Sequence, residues 1–345
     1  MNKKHINLLI GLVIVVLFSY IAFKNVSLED MGRAFKSINY LYLLPAVLLV
    51  ALTFLFRAMR WRYLVSSIKD VKTSHLFSPL MVGFMGNVLP ARAGEFIRAY
   101  LLGKKENVSF SASFATIVVE RLFDLLLFLL LLVVVLFFSA DTLSHGSSGD
   151  GYDLMMIMKS FGWSSFALAV AIVIFFFLLQ YKNDWAMKIV NICIRPLPHK
   201  WGEKIVSMVS SFTDGLKILK DFRGFMASLM LSFLVWAAAI SVYYPIILAF
   251  GMQTDLPAFT AVLIVTLTIG IFISLFPTPA FLGSFHLACV VALHEIFGIP
   301  EAIAASYGII AWLVAMGFII AAGLFFILKD NISFSELASS SEQIK

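Results

Sequence analysis

The sequence predicts an all-α, polytopic membrane helical bundle, with about six full spans plus two proline-broken, re-entrant segments in an inverted repeat. Three observations predict it. Of 345 residues, 61% are hydrophobic and only 13% charged, whereas a soluble globular chain carries about 25% charged residues. The apolar residues fall in runs near the length of about 20 that a bilayer core demands. The basic residues sit in short loops beside those runs, as membrane orientation requires. Too little polar surface remains to cover a core in water, so lipid is the solvent.

Taken in order, Ile6–Phe23 is 18 uncharged residues after Lys3 and Lys4, with no small-residue cleavage site following. It reads as a retained first span rather than a signal peptide. Ser27–Tyr40 reads as an interfacial helix, with Leu28, Met31, Phe35 and Ile38 on one face and Ser27 with Asp30 as a capping box. Tyr40–Phe56 is the second span. Arg57, Arg60 and Arg62 close it, where they read as headgroup anchors, with a lipid-phosphate role as the alternative. Leu76–Ala91 is only 16 residues and contains Pro79, Gly83, Gly86 and Pro90, so it reads as a hairpin.

Ser111–Phe138 is the next span, followed by a polar, acidic loop through Asp141, Asp150 and Asp153. Gly162–Leu179, Phe225–Phe250 and Ile303–Leu328 complete the clear spans. Lys200–Phe222 reads as an amphipathic helix on the membrane surface, with Trp201, Ile205, Met208, Phe212, Leu216 and Leu219 at helical spacing. Leu256–Phe285 is 30 residues broken by Pro277, Pro279 and Gly283, and reads as a second hairpin or as two full spans. Residues 1–332 are therefore one transmembrane domain, with half one about 40–138 and half two about 225–328. Residues 333–345 read as a disordered cytoplasmic tail. The longest gap between spans, Tyr181–Arg223, is 43 residues, too few for an ordinary enzyme domain. The two cysteines, Cys193 and Cys289, fall in a loop and a membrane segment, so no disulfide is expected.

With the N-terminus in the cytoplasm, cytoplasmic segments hold 20 Lys/Arg and the opposite side holds 4. This places the chain in the plasma (inner) membrane with both termini inside. The first hairpin then dips from the cytoplasm and the second from outside. The two share a pattern: Gly83 precedes Pro90 by 7 residues, as Gly270 precedes Pro277, and Gly94-Glu95-Phe96 matches Gly283-Ser284-Phe285. Inverted repeats of broken helices are a recurring transporter design; a pair of kinked packing helices is the bland alternative.

The first break reads Asn87-Val88-Leu89-Pro90-Ala91-Arg92-Ala93-Gly94-Glu95-Phe96-Ile97-Arg98. Arg92, Glu95 and Arg98 are spaced so that Glu95 can neighbour both arginines on a helix. The following span holds Glu120, Arg121 and Asp124, with the two carboxylates on one face. Charges at mid-helix cost roughly 2.5–3.5 kcal/mol each on insertion scales, so partners are expected, namely Arg92 and Arg98. The cluster is either a structural ion-pair lattice or a substrate or proton pathway. In the second break, His286 is either a packing histidine or a site residue. No Gly-rich phosphate loop and no Cys/His ligand spacing occurs, so no cofactor or metal is expected. Short-loop Lys/Arg argue against nucleic acid.

The stretch Asn87–Arg98, followed by Glu120-Arg121 and Asp124, resembles the flippase-like membrane region of the lysylphosphatidylglycerol synthase family, with Pro277-Thr278-Pro279-Ala280-Phe281-Leu282-Gly283 matching a later motif. The resemblance covers roughly residues 5 to 330 and implies a lipid-translocating module without the family's C-terminal synthase domain. Many relatives carry a Glu after the later Gly, where this chain has Ser284-Phe285-His286. The favoured expectation is a lipid flippase, not an enzyme, for an anionic or phosphate-bearing lipid, either a phospholipid or a polyprenyl-phosphate-linked one. The alternatives are a membrane-embedded enzyme acting on lipid or polyprenyl phosphate, or a scaffold of an envelope-lipid complex. The expected partners are membrane lipids and a lipid-modifying enzyme in trans. The expected substrate-binding residues are Asn87, Pro90, Arg92, Glu95, Arg98, Glu120, Arg121, Asp124, Pro277, Pro279, Gly283 and His286.

Overall fold

The computed structural model describes residues 3–88, 93–138, 221–254 and 256–333, with scattered helical positions between 156 and 174. The acidic loop after Phe138, the Lys200–Phe222 helix, Cys193 and the tail lie wholly or almost wholly outside them, and more than half of the span Gly162–Leu179 does too. In order come α1 (Lys3–Phe23), α2 (Leu28–Ser37), a 3-10 turn (Tyr40–Tyr42), α3 (Leu43–Ser66), α4 (Thr73–Gly86), α5 (Gly94–Glu106) and α6 (Phe110–Phe138). Then follow α7 (Phe222–Ser241), α8 (Tyr243–Ala249), α9 (Ala258–Leu275), α10 (Ser284–Val290) with a π-helical turn at Val291–Ile296, and α11 (Glu301–Lys329). No strand occurs among the described residues. The chain is an all-α polytopic membrane protein. Tyr40–Ser66, Phe222–Ala249, Ala258–Leu275, Pro279–Ile296 and Glu301–Lys329 are long and apolar enough to cross a bilayer.

The helices start and stop for local reasons. Ser27 caps α2 by accepting from the Glu29 amide at 3.2 Å. Asp30 pairs with Arg33 instead of completing a capping box. Phe35 and Ile38 pack on the core while Leu28 is exposed, so the predicted apolar face is only partly used. The helix α5 ends where Asn107 turns left-handed (φ 54°) and Gly103 O accepts the freed amides, a conformation Asn tolerates well.

The helix α3 runs on to Ser66, a correction to the span predicted to end at Phe56. The residues after Phe56 keep the buried face going: Ala58, Trp61, Leu64 and Val65 are all fully buried. Hydropathy stops at Arg57, but the helix and its inward face do not.

The arms of the first break, α4 and α5, have 14 and 13 residues. At 1.5 Å per residue each is about 20 Å long, short of the roughly 30 Å hydrocarbon core. They press together at glycines. A Cβ on Gly94 would lie 2.2 Å from Gly83 O and 2.4 Å from Asn87 Oδ1. In the second break, Pro277 and Pro279 withhold amide donors, and Ala280 and Phe281 take positive φ (51° and 59°). Trp312 Nε1 donates to Ala280 O at 2.8 Å, and the Thr278 and Ser284 hydroxyls bond at 2.8 Å, which holds this bend. Gly283, at φ +80°, sits against α1, where a Cβ would meet Phe18 Cβ at 2.8 Å. By length and composition both Ala258–Leu275 and Pro279–Ile296 reach spanning size, the dimensions of the two-span alternative.

Packing partners correspond between the halves. The pairs α4–α5 and α9–α10 pack together, α5 packs on α6 as α10 does on α11, α4 meets α11 as α9 meets α6, and α3 lies along α7. The aligned glycines do not correspond, however. Gly83 faces Arg98 and Gly94 within its own hairpin, while Gly270 faces Phe128 of α6.

Candidate functional site

Four arginines and two carboxylates converge where α3, α5, α6 and α7 meet. Arg98, from α5, is 3% exposed and grips Glu120 with both terminal nitrogens: Nη1 donates to Oε1 at 3.0 Å and Nη2 to Oε2 at 2.6 Å. Its guanidinium also lies over the Trp61 ring, 3.7 Å from the centroid. Trp61 Nε1 in turn donates to Thr116 Oγ1 at 3.0 Å, and that hydroxyl to Ser113 O at 2.7 Å. A planar cation over an indole, in a bidentate pair, is fixed in position and orientation.

Arg60, from α3, is fully buried. Its Nη1 donates to Asp124 Oδ1 at 2.7 Å and to Ser232 Oγ of α7 at 3.0 Å. Its Nη2 sits 3.0 Å from Glu120 Oε1 without hydrogen-bond alignment, so that contact is an ion pair only. Arg121 Nη2 donates to Glu120 Oε1 at 2.8 Å and lies 3.3 Å from Asp124 Oδ2. Arg57 Nη1 reaches the same Asp124 Oδ2 at 3.5 Å. Arg57, Arg60, Arg98 and Arg121 outnumber Glu120 and Asp124, and still outnumber the carboxylates when Glu95 of the neighbouring cavity wall is added, so donors and positive charge are in excess. The buried Nε atoms of Arg60, Arg98 and Arg121 have no hydrogen-bond partner among the described residues.

The cluster sits at one depth. Arg57 and Arg60 lie one and a half to two and a half turns before the end of α3, and Glu120 and Asp124 about three to four turns into α6. Beside it opens a cavity of about 450 Å³. Its polar wall carries Arg57, Arg121, Asn87 and Glu95; its apolar wall includes Val50, Phe54, Ile273, Ala315 and Ile319. The tip of the first break supplies Asn87, Val88 and Glu95, and the second supplies Ser274 and Phe281. The two breaks therefore share one cavity.

Of the expected residues, Arg98, Glu120, Arg121 and Asp124 form the cluster. Glu95 lines the cavity, as does Asn87, whose Oδ1 accepts from the Gly94 amide at 3.0 Å. Pro90 and Arg92 lie outside the described residues. Pro277, Pro279 and Gly283 shape the second bend without lining the cavity. His286 does not join the cluster. It is buried among the rings of Phe23, Phe285 and Trp312, and its Nδ1 has no partner among the described residues. Of the two expected cationic partners, Arg98 is found on Glu120, while Asp124 is met by Arg60, Arg57 and Arg121 instead of Arg98.

Arg57 and Arg60 are corrections too, since headgroup anchors would point to solvent. Arg62 does so, pairing loosely with Asp70 at 3.6 Å. The signal for the other two was the spacing Thr53, Arg57, Arg60, which is one stripe of a helix.

The match to the lysylphosphatidylglycerol synthase TM region runs over residues 8–323 and takes in every element of this site. The chain belongs to that family. Within reach of this lysylphosphatidylglycerol synthase TM-region chain are UPF0104 membrane proteins of Methanothermobacter thermautotrophicus, 26% identical over 89% of this chain and 90% of the relative, and of Methanocaldococcus jannaschii, 24% identical over 88% and 89%. It is also similar to the glycosyltransferase AglD of Haloferax volcanii, 21% identical over 84% of this chain and 49% of that protein. No solved structure matches.

Proposed function

We propose that this family member is a lipid flippase that carries an anionic, phosphate-bearing lipid between leaflets of the plasma membrane. The observation that carries the reading is the surplus of guanidinium over carboxylate in a buried cluster that opens on an amphipathic cavity. Burying Arg60 and Arg98 and half-burying Arg57 and Arg121 costs several kcal/mol per fully buried ion after relaxation, and Glu120, Asp124 and the cavity-wall Glu95 still leave one guanidinium unbalanced. An anion in the cavity supplies the missing charge, and guanidinium is the side chain whose planar fork suits phosphate. The apolar wall opposite suits the first carbons of a lipid tail. Broken helices at both sides of one cavity are the arrangement that alternating access uses. The membrane-lipid family and the relative named a glycosyltransferase are in keeping with a phospholipid or a polyprenyl-phosphate-linked lipid as cargo, made by an enzyme in trans. The positive-inside count supports cytoplasmic termini.

The reading is tested by mass spectrometry of the purified protein under conditions that retain bound lipid. A phosphate-bearing lipid should be retained and lost from Arg121→Ala. Retention of neutral lipids only would contradict the reading.

A further inference from the structure

The four arginines of the cluster are of two kinds. Arg60 and Arg98 are buried, at 0% and 3% side-chain exposure, and their terminal nitrogens are committed to Glu120, Asp124 and Ser232. Arg57 and Arg121 are 16% and 39% exposed, and both line the cavity. They share two neighbours. The Phe84 ring lies 5.2 Å from the Arg57 guanidinium and 5.9 Å from that of Arg121. Asp124 Oδ2 lies 3.5 Å from Arg57 and 3.3 Å from Arg121.

Those two contacts are long for charge-assisted bonds, which run about 2.7–2.9 Å. The other oxygen of the same carboxylate, Oδ1, has a bond of normal length, 2.7 Å, to Arg60. One carboxylate oxygen thus holds two cavity-facing guanidiniums weakly from behind, while its twin is held firmly. Asp124 itself is not part of the cavity wall. Arg121 keeps its 2.8 Å bond to Glu120, and its Nε has no partner among the described residues.

Resting on the phosphate-lipid reading above, we infer that Arg57 and Arg121 are the pair that closes on the headgroup phosphate, and that Asp124 Oδ2 is a built-in competitor which the phosphate displaces. A headgroup phosphate offers two unesterified oxygens, or three where it is terminal, against the one of Asp124 Oδ2, so it can satisfy both guanidiniums at normal length. Asp124 is not orphaned by the exchange, because Oδ1 stays on Arg60. Phe84 keeps a face toward both cations throughout. Capture is then an exchange of one anion for another rather than the burial of a new charge. Release is the reverse exchange, with Asp124 returning to the pair. A carrier needs that second half: two arginines with no internal anion would hold a phosphate and not let it go.

The test uses the full chain in dodecyl maltoside micelles, with dodecyl phosphate as probe. Thermophoresis reads the Kd, and a thermal melt of each variant checks folding. Asp124→Asn keeps an oxygen for Arg60 and removes the competing charge; binding should tighten by about ten-fold, near 1.4 kcal/mol. Arg57→Gln loses one arm of the receptor and should bind about ten-fold more weakly. A folded Asp124→Asn protein with unchanged or weaker affinity overturns the inference. So does a folded Arg57→Gln protein that binds like the wild type, and this variant decides the matter if Asp124→Asn does not fold. A wild-type protein that does not bind dodecyl phosphate at all overturns the phosphate-lipid reading and this inference with it. Binding by the wild type with no change in either variant overturns this inference alone.

Discussion

Arg98 and Glu120 form a fully bidentate pair inside the bundle, with bonds of 3.0 and 2.6 Å, joining the arm of the first broken segment to the span that follows it. Neither residue has water to fall back on, as both are at most 3% exposed. The break is therefore locked to α6 by charge, and its geometry depends on that lock.

Glu120→Gln should be strongly destabilising. It leaves Arg98 buried without its carboxylate and Arg60 with Asp124 alone. Breaking one partner of a buried pair typically costs about 3–5 kcal/mol. Unfolding in detergent should show a large drop in midpoint and poor recovery of folded protein. A Glu120→Gln protein as stable as wild type would mean that the arginines have another anion.

Glycine packing predicts a contrast. Gly94→Ala places a methyl 2.2 Å from Gly83 O, a backbone atom that cannot step aside. Gly32, in the exposed helix α2, has nothing within 4 Å of its missing Cβ. There Ala should be neutral or stabilising by about 0.5–1 kcal/mol. Melting curves of the two variants should separate clearly, with Gly94→Ala low and Gly32→Ala at or above wild type. Equal curves would show that α4 and α5 are not in this contact.

How far the sequence announced this can be judged from particular residues. Arg98, Glu120 and Asp124 were legible because a charge in an apolar run needs a partner, and partners are few. Arg57 and Arg60 were not, because the apolar run ends at Phe56 and a hydropathy reading equates the end of the run with the membrane surface. Their helix continues on the buried face of Trp61 and Leu64. The second bend was visible from Pro277, Pro279 and Gly283, but the left-handed turn at Ala280 and Phe281 was not, since neither residue favours positive φ. It is imposed by Trp312 and α1, which are far away in sequence. His286 drew attention by its place in the repeat, yet repeat position does not fix which way a side chain points.

Acid should weaken the base of the first hairpin. Glu106 bonds Lys69 at 3.3 Å and His75 at 2.8 Å, tying the end of α5 to the start of α4. Burial pushes its carboxyl up, but the hydrogen bonds from His75 and Lys69 outweigh this and hold it below its ordinary 4.5. A depressed carboxylate contributes stability that is complete above its unfolded pKa and is lost as pH falls through the folded one. The melting temperature should therefore drop on acidification below 4.5, and Glu106→Gln should lower stability near neutrality while flattening that slope. An unchanged acid slope in the variant would contradict this.

Sidedness follows from two ion pairs and one shared pocket. Lys69 meets Glu106, and Lys105 meets Asp330 at 2.8 Å, so the α3–α4 turn, the end of α5 and the end of α11 share one side. Residues of α2 and the start of α11, Asp30 and Glu301 among them, line a common pocket at the other end of that helix. Single-cysteine variants at Lys69 and Asp330 should react with an impermeant maleimide from one face only, those at Asp30 and Glu301 from the opposite face, and the positive-inside count puts the first pair in the cytoplasm. Labelling of Lys69→Cys and Asp30→Cys from the same face would contradict the arrangement.

The central claim is that the arginine cluster holds a phosphate headgroup while the lipid changes leaflet. Its most direct measurement is transport in proteoliposomes of a fluorescent lipid phosphomonoester, with its leaflet read by an impermeant quencher. The wild-type protein should move the lipid well above protein-free vesicles, and the Arg57→Ala/Arg121→Ala variant, correctly inserted, should lose at least about ten-fold of that rate. Transport by the folded double variant at the wild-type rate, or no transport by the wild type, would contradict the claim.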